Sequence, residues 1–326
     1  MKHTLYLLAS AFILSIPTFS FAHTKWFAPQ HLDAYTTSEP TGLYLAIWAL
    51  IGISIIAVGA ELERRKILRL NFLMPQGPHV FERAASTFAM LSGAFFLIAG
   101  THGYLFSPNL TELKIPEWLI LIQATIGLTF LIGFHARIGA IALALTWSLG
   151  FFYVPAIELF ENIWVLSTAC FIFVYGSDYF VHVANKELTT YARRFQDLGF
   201  SILRIGTGVT LVILGFSEKI LHPEYGINFL HIHEWNFMPL IGFTQYSDYL
   251  FTLSAGATEV LFGVVFILGI MTRLNALVVA IFFTIPLFIL GPIELTGHLP
   301  HFAAVVLILL FGAGKHFRLH GDTYTV

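Results

Sequence analysis

The stretch Glu259-Val-Leu-Phe-Gly263-Val-Val-Phe-Ile-Leu-Gly269-Ile-Met-Thr-Arg273 has a counterpart 136 residues earlier, Gln123-Ala-Thr-Ile-Gly127-Leu-Thr-Phe-Leu-Ile-Gly133-Phe-His-Ala-Arg137. Working outward, the same shift lays Glu158 on Glu294 and Gly176 on Gly312. One helix earlier, a shift of 115 lays Gly93 on Gly208, Gly100 on Gly215 and Pro108 on Pro223. The registers differ by 21 residues, which reads as an insertion in the second copy within 227–248. The fold expected is all-α and integral to a membrane. It has about nine transmembrane helices, one leading helix followed by two parallel four-helix repeats. An even number of helices per repeat makes both copies enter the membrane in the same sense.

Composition excludes a soluble domain. Hydrophobic residues make up 57% of the chain and charged residues 11%, with a mean hydropathy of +0.78. Globular proteins average about 25% charged. A net charge of −2 leaves no basic excess for phosphate neutralisation, so nucleic acid is not an expected partner. The single cysteine, Cys170, rules out a disulfide framework or a thiolate metal site.

Residues 1–22 read as a signal peptide: Lys2 and His3, an apolar run from Leu5 to Ile16, then Ser20-Phe21-Ala22 at the cleavage site. An uncleaved anchor helix is the alternative. Nine apolar segments follow, near 42–61, 85–106, 117–135, 138–158, 162–183, 200–221, 250–271, 275–291 and 300–314. Under strict alternation 13 of the 17 lysines and arginines fall on one side of the membrane. Three fall opposite, and Lys2 belongs to the signal. The positive-inside rule then puts the mature N-terminus in the periplasm and the C-terminus in the cytoplasm of a bacterial inner membrane. The expected division is 23–84 for the N-terminal segment, first helix and loop, 85–183 for a degenerate first repeat, 200–314 for the second, and 315–326 for a cytoplasmic tail.

Ionisable groups at membrane depth are costly and mark function by default. Glu259 lies about nine residues into its segment, where the first copy has neutral Gln123. Glu218 and Lys219 stand where the first copy has Gly103 and Tyr104, and His222 falls four residues after Glu218, on the same helical face. Lys219 is also placed to snorkel to the interface. The junction Gly291-Pro292-Ile293-Glu294-Leu295-Thr296-Gly297-His298-Leu299-Pro300-His301 gathers Glu294, His298 and His301 at one mouth. The insertion adds His231, His233 and Trp235, with apolar neighbours suited to an interfacial lid. Carboxylates Glu259, Glu218 and Glu294 are the candidate catalytic groups, and Trp235 and Lys219 the candidate cofactor-binding ones. His23, His222, His231, His233, His298 and His301 are the candidate metal ligands, imidazole being the commonest transition-metal donor. Cleavage after Ala22 would free the His23 amine and imidazole for one copper ion, as in a histidine brace. No spacing here reproduces a metal signature, and the same histidines serve equally well as hydrogen-bonding interfacial residues.

The second copy resembles a DoxX-type membrane module. The likeness lies in Arg204-x-x-x-Gly208, Gly215-Phe216-Ser217-Glu218-Lys219, Glu259-x-x-x-Gly263 and Gly269-x-x-x-Arg273, and covers 200–314 well and 85–178 more weakly. That family is similar to the small subunit of thiosulfate:quinone oxidoreductases. The resemblance implies four-helix modules and, in some members, redox work at a quinone. Duplication, the leading helix and the histidine-rich insertion depart from the single-module pattern and leave thiosulfate oxidation outside the expectation. Three functions follow. The first is a redox or metal-handling site at the periplasmic side of the second repeat, with a quinone or copper or another transition metal as cofactor and a membrane or periplasmic redox partner. The others are a transporter of a metal ion or small solute, and a non-catalytic partner subunit.

Overall fold

The computed structural model describes residues 25, 34–111, 113–177, 185–291 and 297–319, and no strand occurs among them. Each apolar segment falls on a helix. These are α1 (Thr41–Arg64), α2 (Val80–Thr101), α3 (Glu117–Ile132), α4 (Ala136–Leu149), α6 (Trp164–Tyr175), α8 (Gln196–Leu214), α10 (Asp248–Leu268), α11 (Thr272–Leu290) and α12 (Leu299–Phe311). Short helices α5 (Ala156–Glu161), α7 (Lys186–Ala192) and α9 (Pro223–His233) connect them. By length and apolarity four stretches suffice to cross a membrane: α1, α2, α10, and the continuous run Lys186–Ile220 containing α7 and α8. The other five are apolar, and four of them, α3, α4, α6 and α12, are shorter than 18 residues. Four of the nine expected segments thus meet this measure among the described residues. Glycines end two of the helices, α3 at Gly133 and α10 at Gly269, both with left-handed backbone (φ +81° and +67°) that a side chain resists.

Two helix crossings share one geometry. A Cβ on Gly93 would come 2.6 Å from the Gly127 carbonyl, and one on Gly208 would come 2.6 Å from that of Gly263. Backbones therefore touch where α2 meets α3 and where α8 meets α10, the close approach that small residues permit in membranes. The remaining contacts follow a similar pattern. α4 packs on α3 and α6, while α11 packs on α10 and α12; across the middle, α2 meets α12 and α6 meets α8. Aromatic rings fill that central seam: Phe96 stacks on Trp164 at 5.5 Å, and Phe171 lies 5.0 Å from Phe88 and 6.2 Å from Phe200. α1 stands apart. None of its residues is buried, and it touches α10.

At one end of the bundle arginines close the helix C-termini, whose last carbonyls lack intrahelical partners. Arg204, fully buried, donates to the carbonyls of Phe266, Ile267 (2.9 Å), Ala313 (2.8 Å), His316 (3.1 Å) and Phe317 (2.6 Å). Arg137 reaches Tyr175 O at the end of α6 (3.1 Å), and Arg273 reaches Leu310 O near the end of α12 (3.4 Å). These guanidiniums meet the negative ends of helix dipoles.

Gly263→Ala forces apart the α8–α10 backbones and is expected to lower stability by roughly 1–3 kcal/mol, the ordinary range for overpacking. Gly42→Ala, with nothing within 4 Å of the new methyl, stays within about 0.5 kcal/mol. Thermal unfolding of both variants in one detergent checks the difference.

Candidate functional site

At the opposite end of α8 the helix widens into a π turn, Gly215–Ile220, closed by Leu221 N–H donating to Phe216 O at 2.9 Å. π turns insert one extra residue and are frequent at functional sites. Here the turn buries Glu218, 1% exposed, and aims Lys219 at α10. Gly215 and Gly256 approach as closely as the crossing glycines, and Lys219 lies directly over Gly256. Its ammonium reaches one helical turn along α10 and pairs with Glu259 Oε2 at 2.9 Å, both side chains partly buried. Lys219 is thus an ion-pair partner in this structure, turned inward.

The first half supplies a second ion group. Lys25 Nζ lies 2.6 Å from Glu161 Oε1 and 3.2 Å from Glu158 Oε1, and Asn109 donates to Glu158 Oε2 at 2.6 Å. Glu161 is 3% exposed. Lys25 also sits 5.9 Å from the Tyr225 ring at the start of α9. The Glu218 carboxylate bears electrostatically on Lys25, Glu161 and Lys219, so the two groups form one field across the α5–α8 contact. Four carboxylates, Glu158, Glu161, Glu218 and Glu259, face two ammoniums among the described residues.

α5 lies outside the apolar helices, at the mouth of the bundle. Burial and then the Glu218 carboxylate push the Glu161 carboxyl up to about 8, against the pull of Lys25. Burial works against a charged Lys25, but Glu161 and Glu158 outweigh it and hold the ammonium above its ordinary range.

Other expected residues lie elsewhere. The π turn breaks the i, i+4 register, so His222 does not continue the face of Glu218. It is exposed, at the N-terminus of α9, and pairs with Glu224 at 3.0 Å. His231 pairs with Asp248 at 3.1 Å, His233 lies against Phe229 at 4.7 Å, and Trp235 meets Phe237 edge-on at 6.3 Å. His298 and His301 come together, buried, with ring centroids 5.6 Å apart. Phe283 stacks on the first at 5.8 Å, and Trp164 lies 4.8 Å from the second. His23 and Glu294 lie outside the described residues. Among those described, no group of three or more His, Cys, Asp and Glu could hold a metal ion.

Comparing the copies directs attention to the second, and so misses Lys25, Glu158 and Glu161 as a group. The pair Glu158-x-x-Glu161 on one helical face was the available signal. In place of Glu259 the first half has Gln123, whose amide accepts from Phe106 N–H (2.8 Å) and donates to Tyr104 O (3.2 Å). It serves loop backbone, which explains why no charge is needed there.

Residues 199–292 match the family model DoxX, and that stretch, from α8 through α11, holds Glu218, Lys219 and Glu259. The match and the apolar helices fit a membrane protein of the DoxX family. No curated protein and no solved structure matches the chain.

With its folded pKa raised above the ordinary 4.5, Glu161 favours folding while protonated. That contribution is fully present below about 4.5 and is lost as pH rises through about 8. A protonated-carboxyl infrared band is expected at pH 6, fading with a midpoint near 8 and missing in Glu161→Gln. An unchanged band in that variant assigns it elsewhere.

Proposed function

We propose that this chain is a tandem DoxX-type protein of the bacterial inner membrane. In this reading its two four-helix halves hold a proton-exchanging redox site at their periplasmic mouth, with a quinone as the substrate class. The observation that carries this is the carboxylate excess around Lys25 and Lys219, on the seam between the halves. In a low-dielectric mouth four ionised carboxylates against two ammoniums are unfavourable, so a proton is held there and is available for exchange. Burial of such groups near the operating pH is what acid–base work requires.

Reciprocal contacts support the duplication: the first helix of each half packs on the last of the other, α2 on α12 and α8 on α6. The bias of arginine and lysine toward the Arg204 end supports a cytoplasmic C-terminus. A bound quinone supplies two-electron, two-proton chemistry. The residues that suit it are Lys25 and Lys219 as hydrogen-bond donors and Glu161 and Glu218 as proton holders. The Ser217 hydroxyl, buried beside Glu218 with no hydrogen-bond partner among the described residues, adds a further polar contact. Transport across the seam is less well supported, because Phe88, Phe96, Trp164, Phe171 and Phe200 fill it between the two ends. A copper site at His23 stays a separate proposal resting on the cleavage site.

Protein purified from native membranes is expected to carry extractable quinone. Glu218→Gln should cut that content at least tenfold while the unfolding temperature holds. Equal quinone in both proteins, or none in either, overturns the redox reading. Elemental analysis of the same samples tests the metal alternative.

A further inference from the structure

A second polar site lies at the Arg204 end, some 20 Å along α8 from Glu218 at 1.5 Å per residue. A small open cleft, of about 50 Å³, sits where α11 begins and α12 ends, lined by Arg69, Arg273, Arg318, Glu63 and Thr272. Three guanidiniums face one carboxylate. Glu63 is already engaged, pairing with Arg69 Nε at 2.9 Å and accepting from Met271 N–H at 3.0 Å.

The N-terminus of α11 opens into this cleft. Its N-cap residue Met271 makes no side-chain cap, and Met271, Thr272 and Arg273 of this first turn line the cleft, at the positive end of a 19-residue helix dipole. An independent observation points to a ligand. Thr272 lines the cleft and is 5% exposed, and its hydroxyl has no hydrogen-bond partner among the described residues. A buried hydroxyl without a partner costs about 1–3 kcal/mol, and this one belongs to a residue in the wall of a cationic recess. The corresponding residue of the first half is Ala136, so the helix start needs no hydroxyl there. Gly312 keeps the recess open: a Cβ there would come 3.2 Å from Arg273 Cζ.

We propose that this cleft binds an oxyanion of the phosphate class, held by Arg69, Arg273 and Arg318, the Thr272 hydroxyl and the first N–H groups of α11. Guanidinium forks match phosphate oxygens, and an uncapped helix N-terminus is a ready anion site. Basic pockets between transmembrane helices on the cytoplasmic side take phospholipid head groups, and free phosphate presents the same chemistry.

The test uses full-length protein and two probes. It is reconstituted in nanodiscs of phosphatidylcholine alone or with phosphatidylglycerol, and retained lipid is read by native mass spectrometry. Inorganic phosphate is titrated separately in detergent, with the unfolding temperature as readout. Wild type is expected to retain phosphatidylglycerol, and Arg318→Ala and Thr272→Val to lose at least tenfold of it while folding normally. Stabilisation by millimolar inorganic phosphate, lost in the same variants, assigns the site to a soluble anion. No anion effect in either arm overturns the proposal, as does an effect that both variants leave intact.

Discussion

Charge inside hydrocarbon has no water to answer it, and this molecule is organised by how it meets that condition. At one end carbonyls are the problem, and arginines are the answer: Arg204 alone collects those at the end of α10 and in the turns after α12. At the other end the charges are side chains, and they are met by bringing lysines from different parts of the chain onto them. Both solutions rely on backbones that touch. Without the Gly215–Gly256 approach, Lys219 would stand a side chain's width from α10 and could not meet Glu259.

The two ion groups differ in origin. Lys219–Glu259 joins neighbouring helices of one half. Lys25–Glu158–Glu161 ties a residue near the start of the chain to α5. Glu218 lies between them, and its carboxylate bears on Lys25, Glu161 and Lys219 alike.

Much of the architecture was legible from residue order. Apolar runs of suitable length locate the helices because hydrocarbon admits little else, and paired glycines locate the crossings because only they allow backbone contact. Three things were hidden for physical reasons. Helix lengths depend on where a left-handed residue such as Gly133 is adopted, and glycine permits that without dictating it. A π turn adds one residue without leaving a mark in composition, so the Glu218–His222 stripe drawn from an α period fails at its last step. Ion pairs separated by 133 and 136 residues have no local pattern at all, and comparing the copies, which lays Glu158 on Glu294, does not single out Glu161.

α1 shows another side of the same economy. Polar clasps hold its two ends. Thr41 and Tyr44 bind Tyr249, Tyr246 and Ser254 at one end, and Glu63 binds Met271 N–H at the other, with no buried residue between. In a bilayer, insertion of a helix precedes its association with others. Between those clasps the contact of α1 with α10 is light, a methyl on Gly52 lying 3.7 Å from Leu261 Cδ1. Its departure would uncover the flank of α10 to a lipid or to another protein's helix without unmaking the core.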